Sequence, residues 1–136
     1  MSEPRSDIAV RLSEVSKSFA AVTALDRVSL ELPTGAMLAL LGPSGCGKTT
    51  ALRLISGFEQ PDAGTVEVDG RRVASPTEMV PPERRRVGLV FQDLALFPHL
   101  SVRANVAYGV RRDTDQGVRT EELLELVGLS ADAERM

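Results

Sequence analysis

The segment LGPSGCGKTT, residues 41–50, places three glycines directly before a lysine and two threonines. Gly42, Gly47, Lys48 and Thr49 match the pattern G-x-x-x-x-G-K-[ST], in which bare backbone lets N–H groups surround phosphate. We expect the lysine to contact the β- and γ-phosphates and the threonine hydroxyl to ligate Mg²⁺. The pattern thus predicts a nucleoside triphosphate site. Its predicted residues are Gly42, Pro43, Ser44, Gly45, Cys46, Gly47, Lys48, Thr49 and Thr50.

The scarcity of lysine argues against a chance match to this pattern. Of the 16 lysines and arginines, all but Lys17 and Lys48 are arginines. A compact ammonium fits a crowded phosphate loop better than a planar guanidinium does. Cys46 is the only cysteine, so no internal disulfide can form, and we interpret it as a small loop residue without a redox role.

The segments on either side of the glycines must position this loop. IAVRLSEV and VSLEL, residues 8–15 and 28–32, alternate apolar and polar side chains, which predicts half-buried antiparallel strands. Residues 37–41 are continuously apolar, which predicts a parallel strand buried on both faces. Apolar residues at helical spacing over 51–55 predict a helix that follows the loop and ends at Gly57.

Two further segments predict strands beyond this helix. TVEVDGRRV, residues 65–73, alternates about an Asp69-Gly70 pair, which predicts a tight hairpin. The apolar residues 87–91 predict another strand, after the Pro81-Pro82 pair interrupts the chain.

The last part of the chain changes to helical patterns. Ser101 is the predicted N-cap of a helix over Val102 to Tyr108, and Thr120 is the predicted N-cap of a helix over Glu121 to Val127. The polar stretch RRDTDQG, residues 111–117, predicts a flexible loop between the two helices.

Composition excludes several functional classes. The net charge is −3 and the pI is about 5.2, which gives no electrostatic footprint for nucleic acid. No apolar run approaches the roughly 18 residues of a membrane span, and the N-terminus lacks a basic region followed by an apolar core. We therefore expect a cytoplasmic location, and 136 residues suit one domain or part of one.

Three long segments resemble the nucleotide-binding subunit of ABC transporters: residues 15–32, 40–70 (LLGPSGCGKTTALRLISGFEQPDAGTVEVDG) and 81–110 (PPERRRVGLVFQDLALFPHLSVRANVAYGV). Within that family the chain is most similar to ATPases of importers for ferric iron, polyamines, sulfate or sugars. The resemblance implies an α/β P-loop NTPase fold: an ATP-binding core with an antiparallel β subdomain over 1–98, then the beginning of a helical subdomain over 99–136.

The resemblance also implies roles for single residues. Phe19 matches the aromatic position that stacks on adenine, although from its own pattern it resembles a core phenylalanine. Gln92 matches the Q-loop glutamine, which helps to ligate Mg²⁺ and positions the attacking water, so Gln92 and Lys48 are the implied catalytic residues. His99 lies in ALFPHL, which matches the segment near the membrane subunits; alone it would be a surface or capping residue. We interpret Arg84 to Arg86 as a solvated face.

The resemblance implies partners as well. These are a second ATP-binding subunit that completes a dimer, transmembrane permease subunits and, indirectly, a solute-binding protein. The cofactors implied are ATP and Mg²⁺, and the place implied is the inner face of the cell membrane. The transported solute is not readable from these residues.

Two alternatives stay open at this point. The strand predicted over 87–91 leads to Asp93, which would serve as the Walker B aspartate of another P-loop NTPase. Alternatively, the protein binds ATP without hydrolysing it, because no LSGGQ signature, Walker B pair or switch histidine occurs in residues 1–136. We expect a truncated front half of the domain, a reluctant monomer that binds ATP without efficient hydrolysis.

Overall fold

The computed structural model describes residues 7–93, 95–110 and 115–136. The chain divides into two compact units, of which the first ends at Leu89 and the second begins at Val90. The expected functional division into 1–98 and 99–136 stays a prediction.

The first unit contains a four-stranded sheet. Its strands are β1 (Ile8–Phe19), β2 (Val22–Pro33), β3 (Ala63–Val68) and β4 (Arg71–Ala74), in the order β2-β1-β3-β4, and every pair is antiparallel. The two predicted antiparallel strands are therefore confirmed, and both are longer than their patterns indicated.

The predicted hairpin about Asp69 and Gly70 is also confirmed. It joins β3 to β4, and both turn residues have positive φ, +49° and +75°. Two consecutive positive φ values match the twist of antiparallel strands, which explains the Asp-Gly pair.

Helix α1, Lys48–Ser56, follows the glycine loop as predicted. Gly57 forms its C-cap at φ +93°, a left-handed conformation that glycine adopts without strain. The helix packs on the sheet through a shared apolar core. The fully buried core residues of the first unit include Leu12, Val15, Leu54, Val66 and Ala74.

The prediction of a buried strand over 37–41 and that of a strand over 87–91 are both wrong. Neither segment is a strand, and Met37, Leu41 and Val90 are 97%, 91% and 95% exposed. A parallel strand buried on both faces needs neighbouring strands and covering layers, and no strand pairs with either segment among the described residues. An apolar run indicates that a segment favours burial, but it does not show whether the strands that would pair with it are present.

Helix α2 of the second unit, Val102–Tyr108, has the predicted bounds and caps. The Ser101 hydroxyl accepts a hydrogen bond from the backbone N–H of Ala104 at 3.2 Å, and Gly109 is the C-cap. Ser101 and Gly109 were therefore sufficient to predict where this helix begins and ends.

Helix α3, Gln116–Leu126, begins earlier than predicted. Asp115 is the N-cap, and its carboxylate accepts from the N–H of Val118 at 3.4 Å. Thr120 is instead buried within the helix, where its hydroxyl donates to the carbonyl of Gln116 at 2.6 Å. Aspartate and threonine can both cap a helix, so the prediction from the sequence pattern assigned the cap to Thr120 in place of Asp115. Of the predicted 111–117 loop, Gln116 and Gly117 are helical, and residues 111–114 lie outside the described residues.

Candidate functional site

The glycine loop has a backbone that other residues would not tolerate. Gly45 and Gly47 have φ of +80° and +93°. A Cβ at Gly47 would lie 2.3 Å from the carbonyl oxygen of Ala24, and a Cβ at Gly42 would lie 2.7 Å from the Cys46 Sγ. The spacing of the motif therefore follows from local close approach as well as from left-handed turns.

The N-terminus of α1 is left available for an anion. No side chain of the described residues caps its first turn, which contains Lys48, Thr49 and Thr50, and no acidic residue lies there. The first N–H groups of a helix have no intrahelical acceptor, and the dipole adds partial positive charge at this end. A loop of this kind before an uncapped helix can bind phosphate.

The Lys48 ammonium lies against the loop itself. Its Nζ donates to the carbonyl oxygens of Gly42 at 2.8 Å and Pro43 at 2.6 Å, and lies 3.3 Å from the exposed Cys46 thiol. These contacts fold the side chain back over the loop. The predicted loop residues are thus brought together as one group.

Phe19 lies at the end of β1 and is 42% exposed. It is therefore not the core phenylalanine that its own pattern suggests. The Lys17 ammonium lies over the ring, 5.3 Å from its centroid. An exposed aromatic ring can stack on a nucleotide base.

Asp62 contacts the residues beside Phe19, and the sequence did not indicate this. Its carboxylate accepts from the N–H of Ser18 at 2.7 Å and from Lys17 Nζ at 3.3 Å, so it contacts the two residues before Phe19. The hydrogen bond from Ser18, followed by the bond and charge of Lys17, lowers the pKa of Asp62. The one available signal was the rarity of Lys17 in an arginine-rich chain.

Arg85 corrects the interpretation of residues 84–86 as a solvated face. It is 3% exposed, and its guanidinium donates to the carbonyls of Val80 at 2.6 Å, Leu54 at 2.6 Å and Ile55 at 3.1 Å. Burial lowers its pKa. Leu54 and Ile55 belong to the last turn of α1, so Arg85 binds the carbonyl end of the helix, where a cation is favoured. Arg84 and Arg86 are exposed as expected.

Gln92 and Asp93 are both exposed and belong to the second unit, whereas Thr49 belongs to the first. Their side chains carry oxygens of the kind that Mg²⁺ accepts. The Q-loop role of Gln92 and the Walker B role of Asp93 both stay predictions. Joint ligation of Mg²⁺ by Thr49 and Gln92 stays a prediction.

Asn105 of α2 organises the segment ALFPHL, residues 95–100. Its side-chain amide donates to the carbonyls of Phe97 and Leu100, both at 3.1 Å, and its carbonyl accepts from the N–H of Phe97 at 2.8 Å. The Phe97 ring lies 4.4 Å from that of Tyr108 and 6.1 Å from that of the exposed His99. Sequence reasoning missed Asn105, because a helical asparagine has no distinctive pattern.

The family model described as ABC transporter matches residues 25–136. The chain belongs to the ABC transporter family. The matched region includes the glycine loop, α1, Gln92 and the ALFPHL segment, whereas Phe19 lies before it.

This ABC transporter chain is similar to several curated importer proteins. It is 50% identical over 133 residues to a spermidine/putrescine import ATP-binding protein of Nitratidesulfovibrio vulgaris, with 95% of this chain and 35% of the relative covered. It is 48% identical over 130 residues to a sulfate/thiosulfate import ATP-binding protein of Mycolicibacterium paratuberculosis, with 93% and 35% covered. An Fe(3+) ions import ATP-binding protein of Rhodococcus jostii is 50% identical over 121 residues, with 89% and 35% covered. The chain thus spans about a third of the length of these relatives, and the importer-type resemblance is confirmed.

Two solved ATP-binding cassettes share the fold of this ABC transporter chain. One is 24% identical with a TM-score of 0.74, over 94% of this chain and 57% of that one. The other, a dimeric cassette in a post-hydrolysis state bound to ADP and Pi, is 26% identical with a TM-score of 0.75, over 92% and 60%. The α/β P-loop NTPase fold class is therefore confirmed. In the part of the chain that the structure describes, no helix has the length and apolar content to cross a membrane.

Proposed function

We propose that this chain is the ATP- and Mg²⁺-binding part of an importer subunit that couples ATP binding and hydrolysis to solute uptake. The observation that carries the proposal is the loop over residues 42–47, which leads into the uncapped N-terminus of α1 with the Lys48 ammonium folded over it. A glycine loop with its backbone N–H groups, a helix dipole and one cation is a combination that suits a polyphosphate.

Binding would exchange the partners of Lys48. Its ammonium would leave the carbonyls of Gly42 and Pro43 and donate to the β- and γ-phosphates, while the N–H groups of the loop bind the remaining oxygens. The exposed hydroxyl of Thr49, in the first turn of α1, and the amide oxygen of Gln92 would hold Mg²⁺. The bound ion would neutralise charge on the phosphates. Phe19 would stack on the adenine.

The partners and location are part of the same proposal. A second ATP-binding subunit would complete a dimer, as the related cassette was solved in dimeric form. The names of the curated relatives, all import ATP-binding proteins, support work beside permease subunits and, through them, a solute-binding protein. The same proposal includes a location in the cytoplasm, on the inner face of the cell membrane.

The transported solute is not recognised by this segment. Relatives named for polyamines, sulfate and ferric iron are 48–50% identical to the same residues. Chemically unlike solutes with near-equal similarity here indicate that other parts of the transporter select the solute.

The test replaces the loop lysine. Lys48→Ala removes a charge-assisted hydrogen bond to phosphate, and we expect ATP affinity to fall by about tenfold to a hundredfold. Isothermal titration calorimetry with Mg-ATP measures the change. Arg53→Ala removes an exposed cation from the other end of α1 and should leave the affinity unchanged. Equal affinities of the parent and the Lys48 variant would refute the proposal.

A further inference from the structure

Asp62 fixes the end of β1 at three consecutive residues. Its backbone N–H donates to the carbonyl of Ser16 at 2.9 Å, and its carboxylate accepts from Lys17 Nζ at 3.3 Å and from the N–H of Ser18 at 2.7 Å. The next residue in the chain is Phe19. A single aspartate thus restrains the backbone and the side chain directly before the aromatic ring.

Lys17 is held in place by two carboxylates. Its ammonium lies 3.3 Å from Asp62 and 3.9 Å from Glu59, and its side chain is only 14% exposed. These contacts hold the charge over the Phe19 ring at 5.3 Å from the centroid. One face of the ring is therefore occupied by a cation, whereas 42% of the residue is exposed. With the ammonium over one face, we expect a base to stack on the other.

The same cluster is joined to the phosphate loop through α1. This helix begins at Lys48 and ends at Ser56, and residues 57–62 then lead to Asp62. The N–H groups of Gly57, Phe58 and Glu59 all donate to the carbonyl of Arg53, which gives this connection a compact start. One short piece of chain thus links the residue that begins the helix to the residue that restrains Phe19.

We propose that Lys17 and Asp62 are positioning residues for the nucleotide base, which hold the Phe19 ring with one face covered by the ammonium and the other presented for stacking. This inference rests on the proposed ATP-binding function. A cation on one face draws electron density from the ring and strengthens stacking of an electron-rich purine on the other. Restraint before binding also reduces the entropy that ordering the ring would cost.

The test separates the base from the phosphates. Calorimetry measures the affinities for ATP and for inorganic tripolyphosphate, which has no base. We expect Lys17→Met and Asp62→Asn to weaken ATP binding by about twofold to fivefold, the range of a cation–π contact, and to leave tripolyphosphate binding unchanged. Lys17→Arg keeps a cation over the ring and should retain most of the ATP affinity.

The chain offers a matched control on the same strand. Arg11 also forms two ion pairs, with Glu31 at 2.7 Å and Glu67 at 3.4 Å, so Arg11→Met removes a comparable cation from β1 away from Phe19. It should change neither affinity. In a Phe19→Ala background, Lys17→Met should have no further effect on ATP binding, because the ring through which it acts is gone.

Several results would overturn the inference while leaving the proposed function intact. These are unchanged ATP affinity in Lys17→Met, equal losses for ATP and tripolyphosphate, or a further loss in the Phe19→Ala background. A parent protein that binds neither ligand would refute the proposed function itself, and the inference with it. Circular dichroism checks that each variant is folded. If Lys17→Met does not fold, the ATP affinity of Lys17→Arg tests the inference in its place.

Discussion

Both lysines of the chain have their ammonium groups bound within the first unit. Lys48 donates to two carbonyls of the glycine loop, and Lys17 contacts two carboxylates and the Phe19 ring. One lysine therefore marks the phosphate end of the proposed site and the other the base end. Arginine would suit the Lys48 position less well, since a planar guanidinium does not fit a narrow cradle of carbonyl oxygens.

Phe19 should support ATP binding through its ring alone. Phe19→Ala removes stacking worth about 1–3 kcal/mol, so we expect affinity to fall by roughly fivefold to a hundredfold, whereas Phe19→Tyr keeps the ring and the affinity. Selectivity between ATP and GTP should stay modest, because every base has a π-face. Competition titrations with both nucleotides measure this. A preference for GTP above about a hundredfold would indicate a hydrogen-bonding base pocket instead.

Asp62 should make the free energy of unfolding depend on pH in the acidic range. Its pKa is lowered below 3.8 in the folded protein, by the Ser18 hydrogen bond first and by Lys17 next. Its contribution to stability is therefore present above the unfolded pKa, and is lost as the pH falls through the folded value. Asp62→Asn should flatten the dependence of the unfolding free energy on pH below about pH 4.

Urea unfolding between about pH 2 and pH 5 measures that slope. Asp26→Asn is the control, since the Asp26 carboxylate is 75% exposed and pairs with its neighbour Arg27 at 3.7 Å. An Asp62→Asn variant with the same acid slope as the parent would contradict the assignment of its low pKa to these contacts.

Whether the contacts of a residue could be predicted depended on how far apart the contacting residues are in the sequence. The loop from Gly42 to Thr50 is a local pattern, so its residue types and spacing were enough to single it out as a candidate site. The bond between Ser18 and Asp62 spans 44 positions, and that between Arg85 and Leu54 spans 31. No local pattern reports such a pair, and therefore Asp62 was missed and Arg85 was misjudged as solvated.

Helix α1 is held at both ends by backbone that requires glycine. Gly47 precedes it, and Gly57 follows it at φ +93°. A Cβ at Gly57 would lie 2.6 Å from the Nε of Arg85 and 3.1 Å from the backbone nitrogen of Pro82. The C-terminal glycine therefore makes room for the buried guanidinium as well as for the left-handed turn.

Arg85→Met should destabilise the first unit. The substitution removes the donors for the carbonyls of Leu54, Ile55 and Val80, and hydrogen bonds from charged groups contribute about 1.5–3 kcal/mol each. The variant no longer bears the desolvation cost of a buried cation, which offsets part of this. We therefore expect the free energy of unfolding to fall by roughly 3 kcal/mol. Chemical denaturation measures it. Arg84→Met removes the exposed neighbouring arginine and should change stability by less than about 0.5 kcal/mol. Similar effects of the two variants would contradict the structural role of Arg85.

At the scale of elements, the sequence predicted the turns and caps that depend on neighbouring residues alone. It failed for strands that depend on partners far away in the chain. The Asp69-Gly70 turn and the Ser101 cap fix their hairpin and helix through neighbouring residues alone, and both were predicted. The segments 37–41 and 87–91 need other strands beside them, and a sequence pattern cannot supply those strands. The start of α3 was misplaced because Asp115 and Thr120 are both competent caps.

The molecule as a whole exposes two extended apolar segments. Met37 and Leu41 in the first unit, and Val90 in the second, are each more than nine-tenths exposed. Exposed apolar segments of this kind associate with other chains. We expect the isolated chain to self-associate as its concentration rises, and light scattering measures this.

Val90→Lys should weaken that association roughly tenfold, since burying one valine contributes about 1.5 kcal/mol or more. Val118→Lys places the same charge on the exposed face of α3, at a valine that is 55% exposed, and should have no such effect. A parent chain that remains monomeric at all concentrations would contradict the expectation.

Cys46 gives this molecule a chemical reporter in its natural sequence. It is the only thiol among 136 residues, it is exposed, and its sulfur lies 3.3 Å from Lys48 Nζ within the glycine loop. An alkylating reagent or a thiol-reactive fluorophore can therefore attach at a single place, directly beside the concavity proposed for phosphate. Occupancy of the loop becomes visible as protection from labelling, without any engineered cysteine.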